Sequence, residues 1–175
     1  HAGFDGSIAF RLAEAFFGED MEPEEVEAMF VTYSTFEALR MAPELGRLFS
    51  QEDDSPGAPP TIILSHDYWK TRFAGDPEVV GRTLRVDGET RVIIGVMPKE
   101  PRFLRFDPAM YLPFQFDRAT LYMGNFSFQA LARLKPGVTI EAADADVERF
   151  LTWLTDLPGE EISELMDHPS HQRVA

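Results

Sequence analysis

The stretch Leu64-Ser65-His66-Asp67-Tyr68-Trp69-Lys70-Thr71-Arg72-Phe73-Ala74-Gly75-Asp76-Pro77-Glu78-Val79-Val80-Gly81-Arg82-Thr83-Leu84-Arg85-Val86-Asp87-Gly88 decides the fold. It completes the apolar run Thr61-Ile62-Ile63-Leu64, which suits a buried strand. Ser65 or Asp67 then stands where a helix N-cap belongs, ahead of Tyr68, Trp69 and Phe73. Asp76-Pro77-Glu78 has the signature of another helical first turn: a capping Asp, Pro in first position, then an acid. Thr83–Val86 and Thr90–Val96 flank Asp87-Gly88, a pair that tolerates the positive φ angles of a type I′ hairpin turn. Strand end, short aromatic helix, capped turn and hairpin follow in order. Nothing here looks like an active site.

Upstream, Ile8 to Phe17 places Ile8, Leu12, Ala15 and Phe16 at helical spacing and reads as a short helix or an edge strand. Gly18 to Glu25 is an acidic loop. Val26 to Thr32 alternates as a strand does, and Ser34 or Thr35 caps a short helix through Phe36, Leu39 and Arg40. Pro43 stops that helix, and Gly46 turns the chain. Gln51 to Pro60, with Asp53, Asp54, Pro56, Gly57 and two further prolines, is the clearest loop.

Downstream, Val92, Ile94 and Val96 share one face of the second hairpin strand, and Pro98 ends it. Lys99 to Asp117 is irregular and aromatic, with Phe103, Phe106, Tyr111, Phe114 and Phe116. Phe126, Phe128, Ala130, Ala132 and Leu134 alternate as a strand. Lys135-Pro136-Gly137 turns, and Thr139 caps a helix whose stripe is Ile140, Ala143, Val147, Phe150, Leu151 and Leu154. Pro158-Gly159 breaks it. Helices and hairpins interleave in no regular βαβ rhythm, which predicts an α+β fold: a mixed sheet with a hairpin and packed helices. The expectation is one domain over residues 1–175, with 99–125 a small inserted subdomain and 159–175 a frayed tail.

At 175 residues, with 44% apolar side chains and 15 Phe, the chain can build a core without staples. It has no cysteine, which rules out a disulfide framework and thiolate metal sites. The net charge of −14 repels phosphate backbones and anionic headgroups, so a nucleic-acid partner is not expected. The acidic clusters Glu19–Asp20, Glu22–Glu25, Glu52–Asp54 and Glu160–Glu164 read as solvated loops and helix ends. No apolar run approaches the roughly 20 residues of a membrane helix. The chain opens His1-Ala2-Gly3 without a methionine and reads as a piece of a longer protein, so missing spans leave its location open.

Ser65-His66-Asp67 holds the letters of a catalytic triad, but neighbours in sequence diverge in space, whether extended or helical. A cap at a strand-to-helix junction is the better reading. His168 and His171 with Asp167 fall short of a zinc ligand set. Glu52-Asp53-Asp54 lacks the alternating oxygens and central glycine of a calcium loop. Gly3 and Gly6 do not make a phosphate loop, so the chain is not expected to bind ATP. Tyr68, Trp69, Phe73, Phe126 and Phe128 sit at core spacing; Asn125-Phe126-Ser127 is a short sequon match of little weight. No catalytic, cofactor-binding or metal-binding residue is assigned, no cofactor is expected, and the chain is read as non-enzymatic.

Four blocks resemble the MacB-like periplasmic core domain of bacterial ABC-transporter permeases, in the branch of duplicated-permease operons, over roughly Val31 to Glu148. The first is Val31 to Arg47 with its Pro-x-x-Gly-Arg turn; here Ser34-Thr35-Phe36 stands where Asn-Tyr-Phe is more usual, and Arg40 where Gly is more usual. The second is Leu64 to Gly88. The third is Val92-Ile93-Ile94-Gly95-Val96-Met97-Pro98, followed by Lys99-Glu100-Pro101-Arg102-Phe103 in place of the common Pro-Gly-Phe. The fourth is Ala130-Leu131-Ala132-Arg133-Leu134-Lys135-Pro136-Gly137-Val138-Thr139.

The resemblance implies a domain outside the cytoplasmic (inner) membrane of a bacterium, facing the periplasm or cell exterior, between the first and second transmembrane helices. It implies a cytoplasmic ATP-binding subunit as partner through those helices, a second permease copy as dimer, and a periplasmic adaptor protein. Its relatives act in efflux, lipoprotein release or signalling by transmitting motion, and carry no catalytic residues to transfer. The alternative reading is a free-standing ligand-binding module using Phe103 to Phe116 as an aromatic pocket.

Overall fold

Ile62, Ile63 and Leu64 are all fully buried, so the run Thr61–Leu64 is covered on both faces, as its unbroken apolarity requires. The strand they form, β4, lies inside a sheet described by a computed structural model over residues 4–17, 24–99, 106–115 and 129–156. The elements are β1 (Phe4–Phe17), β2 (Glu24–Val31), α1 (Thr35–Ala38), β3 (Leu45–Gly46), β4 (Thr61–Leu64) and α2 (His66–Arg72). A 3-10 turn (Pro77–Val79) follows, then β5 (Thr83–Val86), β6 (Glu89–Val96), β7 (Met110–Pro113), β8 (Gln129–Leu134) and α3 (Ile140–Asp156). The α+β expectation holds.

The chain divides into two compact units, Ile8–Ala130 and a smaller one made of His1–Ser7 with Leu131–Ala175. In the larger unit the strand order is β2-β7-β4-β6-β5-β1, with β3 laid on β6. β2/β7 and β4/β6 are parallel, and the other pairs are antiparallel. The parallel pair β4/β6 needs a crossover; α2 and the 3-10 turn supply it. β1 also pairs with β2, from Phe10↔Val31 to Phe17↔Glu24, and meets β5 at Phe17↔Val86. The circuit of pairings therefore returns to its start.

Alternation along the strands feeds two apolar layers. Ala28, Ile62, Leu64, Ile93, Val96, Met110 and Leu112 face α2 and the 3-10 turn, where Tyr68, Trp69 and Val79 are buried. Met29, Val31, Ile63, Ile94 and Tyr111 face the other way, against Phe36 of α1, Met41 and Phe49. A one-residue slip would swap these layers, so burial on both sides holds the register.

Local signals account for most boundaries. The Ser65 hydroxyl accepts the Tyr68 amide at 3.3 Å, and the Asp76 carboxylate accepts that of Glu78 at 2.9 Å. Asp87 and Gly88 have φ of 53° and 81°, as the type I′ hairpin demands. Of the two readings offered for Ile8–Phe17 the strand holds: it belongs to a 14-residue strand, its helical spacing outweighed by continuous pairing with β2, and it is not at an edge, since β5 pairs with it too. Two expectations need correction. The stretch Lys99–Asp117 is not simply irregular: it contains β7, inserted between β2 and β4. The helix expected through Arg40 ends at Ala38, and Ser34 makes no side-chain cap.

Arg40 itself has φ of 56°, in the left-handed region where the resembling sequences more usually carry glycine. Arg40→Gly is therefore expected to stabilise the fold by about 0.5–1 kcal/mol, because it removes the Cβ penalty of that conformation. A urea midpoint that falls instead would show that the arginine side chain repays its strain.

In the smaller unit, β8 is the neighbour of β1 in the strand order, and Thr139 caps α3 through the Ala142 amide at 3.2 Å. Gln129 to Arg133 are exposed on both faces, against the alternation expected there. On α3 Ala143 is buried, whereas Ile140, Val147 and Leu151 of the amphipathic stripe are exposed. Phe126, Phe128 and Pro158-Gly159 lie outside the described residues.

Candidate functional site

Where β3 crosses β6, both backbones come into near contact through Gly46 and Gly95. The Glu44 amide bonds to the Val96 carbonyl at 2.8 Å and the Arg47 amide to the Ile94 carbonyl at 3.0 Å. This places Arg47 beside the loop that begins at Leu48. Its guanidinium then grips Asp53 with both arms, Nη1 to Oδ2 at 2.6 Å and Nη2 to Oδ1 at 2.9 Å. Asp53 Oδ2 also accepts the Ser50 amide and hydroxyl, each at 2.7 Å.

The next residue extends the cluster across the sheet. Asp54 Oδ2 accepts the Tyr33 amide at 3.0 Å, just after β2, and Oδ1 accepts the Gln115 amide at 2.9 Å, just after β7. Gln115 answers with its own side chain: Nε2 donates to the Asp53 carbonyl at 2.9 Å and to the Ala58 carbonyl at 3.2 Å. Gln115 holds a φ of 50°. The ends of the parallel pair β2/β7 and the loop 47–58 are thereby tied into one polar clasp.

The acidic cluster Glu52–Asp54 was expected to be a solvated loop, and this is a further correction. Asp53 is only 7% exposed and Asp54 is half-buried. Burial works against charge on Asp53, but the Arg47 guanidinium and the Ser50 donors outweigh it and hold the carboxyl at about 2. Burial pushes Asp54 up, and the amides of Gln115, Tyr33 and Phe114 only partly oppose this. The carboxylate oxygens of both residues are committed to protein donors, which gives the cluster the chemistry of a lock.

The two carboxyls couple to acid with opposite signs. Asp53 titrates lower in the folded chain than its ordinary 3.8, so its stabilisation is complete above that value and is lost as pH falls towards about 2. Asp54 titrates higher in the folded chain, so it favours folding as pH falls through its raised value. Arg47 is 54% exposed, which screens the pair. Asp53→Asn is expected to cost about 1–2 kcal/mol at pH 7 and to flatten the acid limb between pH 4 and 2. Urea titrations at pH 7, 4 and 2 check this; an unchanged acid limb would contradict the pairing.

The triad letters do not converge. Ser65 is spent as a cap, while His66 Nδ1 meets Glu44 Oε2 at 2.7 Å and the His66 ring lies edge-on to Trp69 at 5.6 Å. Tyr68 and Trp69 are buried in the core, with Phe73 packed beside them. Trp69 Nε1 donates to the Asp76 carbonyl at 2.8 Å, joining α2 to the turn that follows.

Of the rings expected to line a pocket, the three among the described residues pack against other rings of the fold. Phe106 packs on Phe10 at 6.0 Å, Tyr111 stands edge-on to Phe36 at 5.1 Å, and Phe114 stacks on Phe30 at 6.0 Å. A shallow groove between Ala142 and Trp153 is walled by α3 alone. Gly6 lies in β1. Gly3, Phe103, Phe116, Asn125-Phe126-Ser127, Asp167, His168 and His171 lie outside the described residues. Among the described residues no cluster of three or more metal-ligating side chains occurs, and no helix is long and apolar enough to cross a membrane.

Reading the residues in order missed the clasp. Arg47 drew notice only as the end of Pro-x-x-Gly-Arg, and its partner stands in a loop whose composition signals solvent. Gln115 lies 61 residues from Asp54, and no local pattern could join them.

A family model described as the MacB-like periplasmic core domain matches residues 6–150. Among solved structures, a domain assigned to a permease protein from Porphyromonas gingivalis aligns with TM-score 0.62 and 20% identity, covering 84% of this chain and 63% of that one. The chain thus spans less than two thirds of that relative. The periplasmic region of MacB from Actinobacillus actinomycetemcomitans aligns with TM-score 0.67 and 13% identity, over 96% of this chain and 78% of that one. The extracellular domain of the noncanonic ABC-type transporter YknZ from Gram-positive bacteria gives 0.56 and 14%, over 81% and 70%. At these identities the likeness concerns the fold. No protein in the curated collection matches the chain.

Proposed function

The chain belongs to the MacB-like periplasmic core domain family, and on that premise we propose that it transmits motion within an ABC-transporter permease, from a cytoplasmic ATP-binding subunit to the extracytoplasmic side. The match over residues 6–150 carries this reading. The process served is efflux, lipoprotein release or signalling, with a second permease copy and a periplasmic adaptor as further partners. Residues 1–175 form one extracytoplasmic core domain in this proposal, with 99–125 as an inserted subdomain, and the domain is non-enzymatic. A body that passes on displacement must not yield internally. Two apolar layers on one sheet, and a clasp over the ends of β2 and β7, suit that requirement.

The complete gene product tests it. It should carry one apolar span of about 20 residues before this domain and about three after it. It should also sediment with membranes, with this domain open to protease added from the outer side. A product released from cells as a soluble protein, without spans, would overturn the proposal.

A further inference from the structure

α3 turns two kinds of side chain to solvent, in adjoining rows. Ile140, Val147 and Leu151 are 75%, 41% and 52% exposed, while Ala143 is buried. By helical geometry the first three fall within about 40° of arc, on a ridge about 16 Å long, and Ala143 lies to one side of it. On the other side Asp144, Glu148 and Glu141 follow over about the next 80°, all of them exposed. Among the described residues none of the three forms an ion pair, and Arg149, the only cation of the helix, is paired with Asp146 on the far face.

A single apolar side chain at the surface needs no partner, but three in line mark a contact surface. The charge beside them narrows what can cover it. α3 carries five carboxylates against one arginine, in a chain of net charge −14. A second copy would set the same row of acids against this one, and an anionic lipid surface is repelled in the same way. Residues 157–175 hold Glu160, Glu161, Glu164 and Asp167 against Arg173, so that segment does not bring the opposite charge. What fits is an apolar row bordered by lysines or arginines. We propose that this face of α3 docks a basic amphipathic helix of another protein, its apolar row on Ile140, Val147 and Leu151 and its cations against Glu141, Asp144 and Glu148. The surface needs only α3 and holds whether or not the chain transmits motion.

The probe is a labelled helical peptide of about 18 residues with leucines on one face and lysines along its borders, titrated into the intact chain and followed by fluorescence anisotropy. A twin with glutamate for lysine is the control, and it should bind at least about tenfold more weakly. V147D/L151D should weaken the lysine peptide about tenfold although it makes the chain more acidic. General attraction to an acidic chain would instead strengthen binding, and that result would overturn the proposal. D144K/E148K should weaken the lysine peptide and favour the twin; unchanged affinities would overturn it equally. Surface substitutions of this kind should leave the urea midpoint close to that of the parent chain. If V147D/L151D lowers it, D144K/E148K decides alone. A dimer of the parent chain in sedimentation equilibrium that V147D/L151D dissolves would give the face to a second copy. Flotation with phosphatidylcholine vesicles that the same variant loses would give it to a membrane. Either outcome overturns the proposal.

Discussion

Gly46→Ala and Gly95→Ala are each expected to lower the stability of the folded chain by roughly 3 kcal/mol, read as a fall in urea midpoint at unchanged slope. A Cβ on Gly46 would lie 2.2 Å from the Ile94 carbonyl oxygen, and one on Gly95 would lie 2.4 Å from the Arg47 carbonyl oxygen. Both obstacles are backbone, so neither can turn aside as a side chain would. Gly46 adds a φ of 69°, which an L side chain adopts at further cost. The register places the crossing at an irregularity: Ile62 pairs with Ile93 but Ile63 with Gly95, leaving Ile94 as an extra residue in β6. Gly88→Ala is the control. Its φ is 81° with nothing within 4 Å of the added carbon, so only about 1 kcal/mol should be lost. If Gly95→Ala behaves like this control, β3 does not lie against β6 as described, and Arg47 would have no fixed place from which to reach Asp53.

Trp69→Ala should cost about 3–5 kcal/mol, the range for emptying a buried aromatic site. Trp69 is 4% exposed and packs in the layer between α2 and the sheet. Its loss removes the ring, the 2.8 Å bond to the Asp76 carbonyl and the surface on which Lys70 rests at 4.1 Å. Trp69→Phe keeps most of the volume and forfeits the bond, so a loss of about 1–2 kcal/mol is expected. Unfolding followed by circular dichroism separates the two. Equal losses would place the stabilisation in the hydrogen bond, and losses below 1 kcal/mol for both would mean that α2 is not seated on the sheet.

The contrast between α2 and β7 shows how far a sequence can be read. Ser65, Asp76, Asp87 and Gly88 act through atoms two or three residues away, and their roles as caps and turn formers were legible from type and spacing. Met110-Tyr111-Leu112-Pro113 is too short to show a period, and its proline and aromatic surroundings read as loop. It is a strand because β2 and β4 lie on either side to receive it. The same holds for β1, whose spacing fits a helix as well as a strand until β2 supplies a ladder. Arg40 shows the reverse: a departure from the more usual glycine, visible in the sequence, falls on a left-handed backbone position. The exposed stripe of α3 was read correctly as amphipathic, but amphipathicity does not say what covers the apolar side.

From residue order alone came the α+β class, the strand–helix–turn–hairpin run from Leu64 to Gly88, the misfit of Ser65-His66-Asp67 as a triad, and the resemblance to its family. Each of these rests on forces acting within a turn or two of chain, or on the blocks such forces preserve. Three-dimensional packing was needed for the rest: the return of the circuit from β1 to β2, the two-layered core, the glycine crossing and the clasp of Arg47, Asp53, Asp54 and Gln115. These depend on which distant segments exclude water together. The protonation of Asp53 and Asp54 is likewise set by burial and by donors brought from Arg47, Tyr33 and Gln115, and neighbours in sequence do not encode that environment.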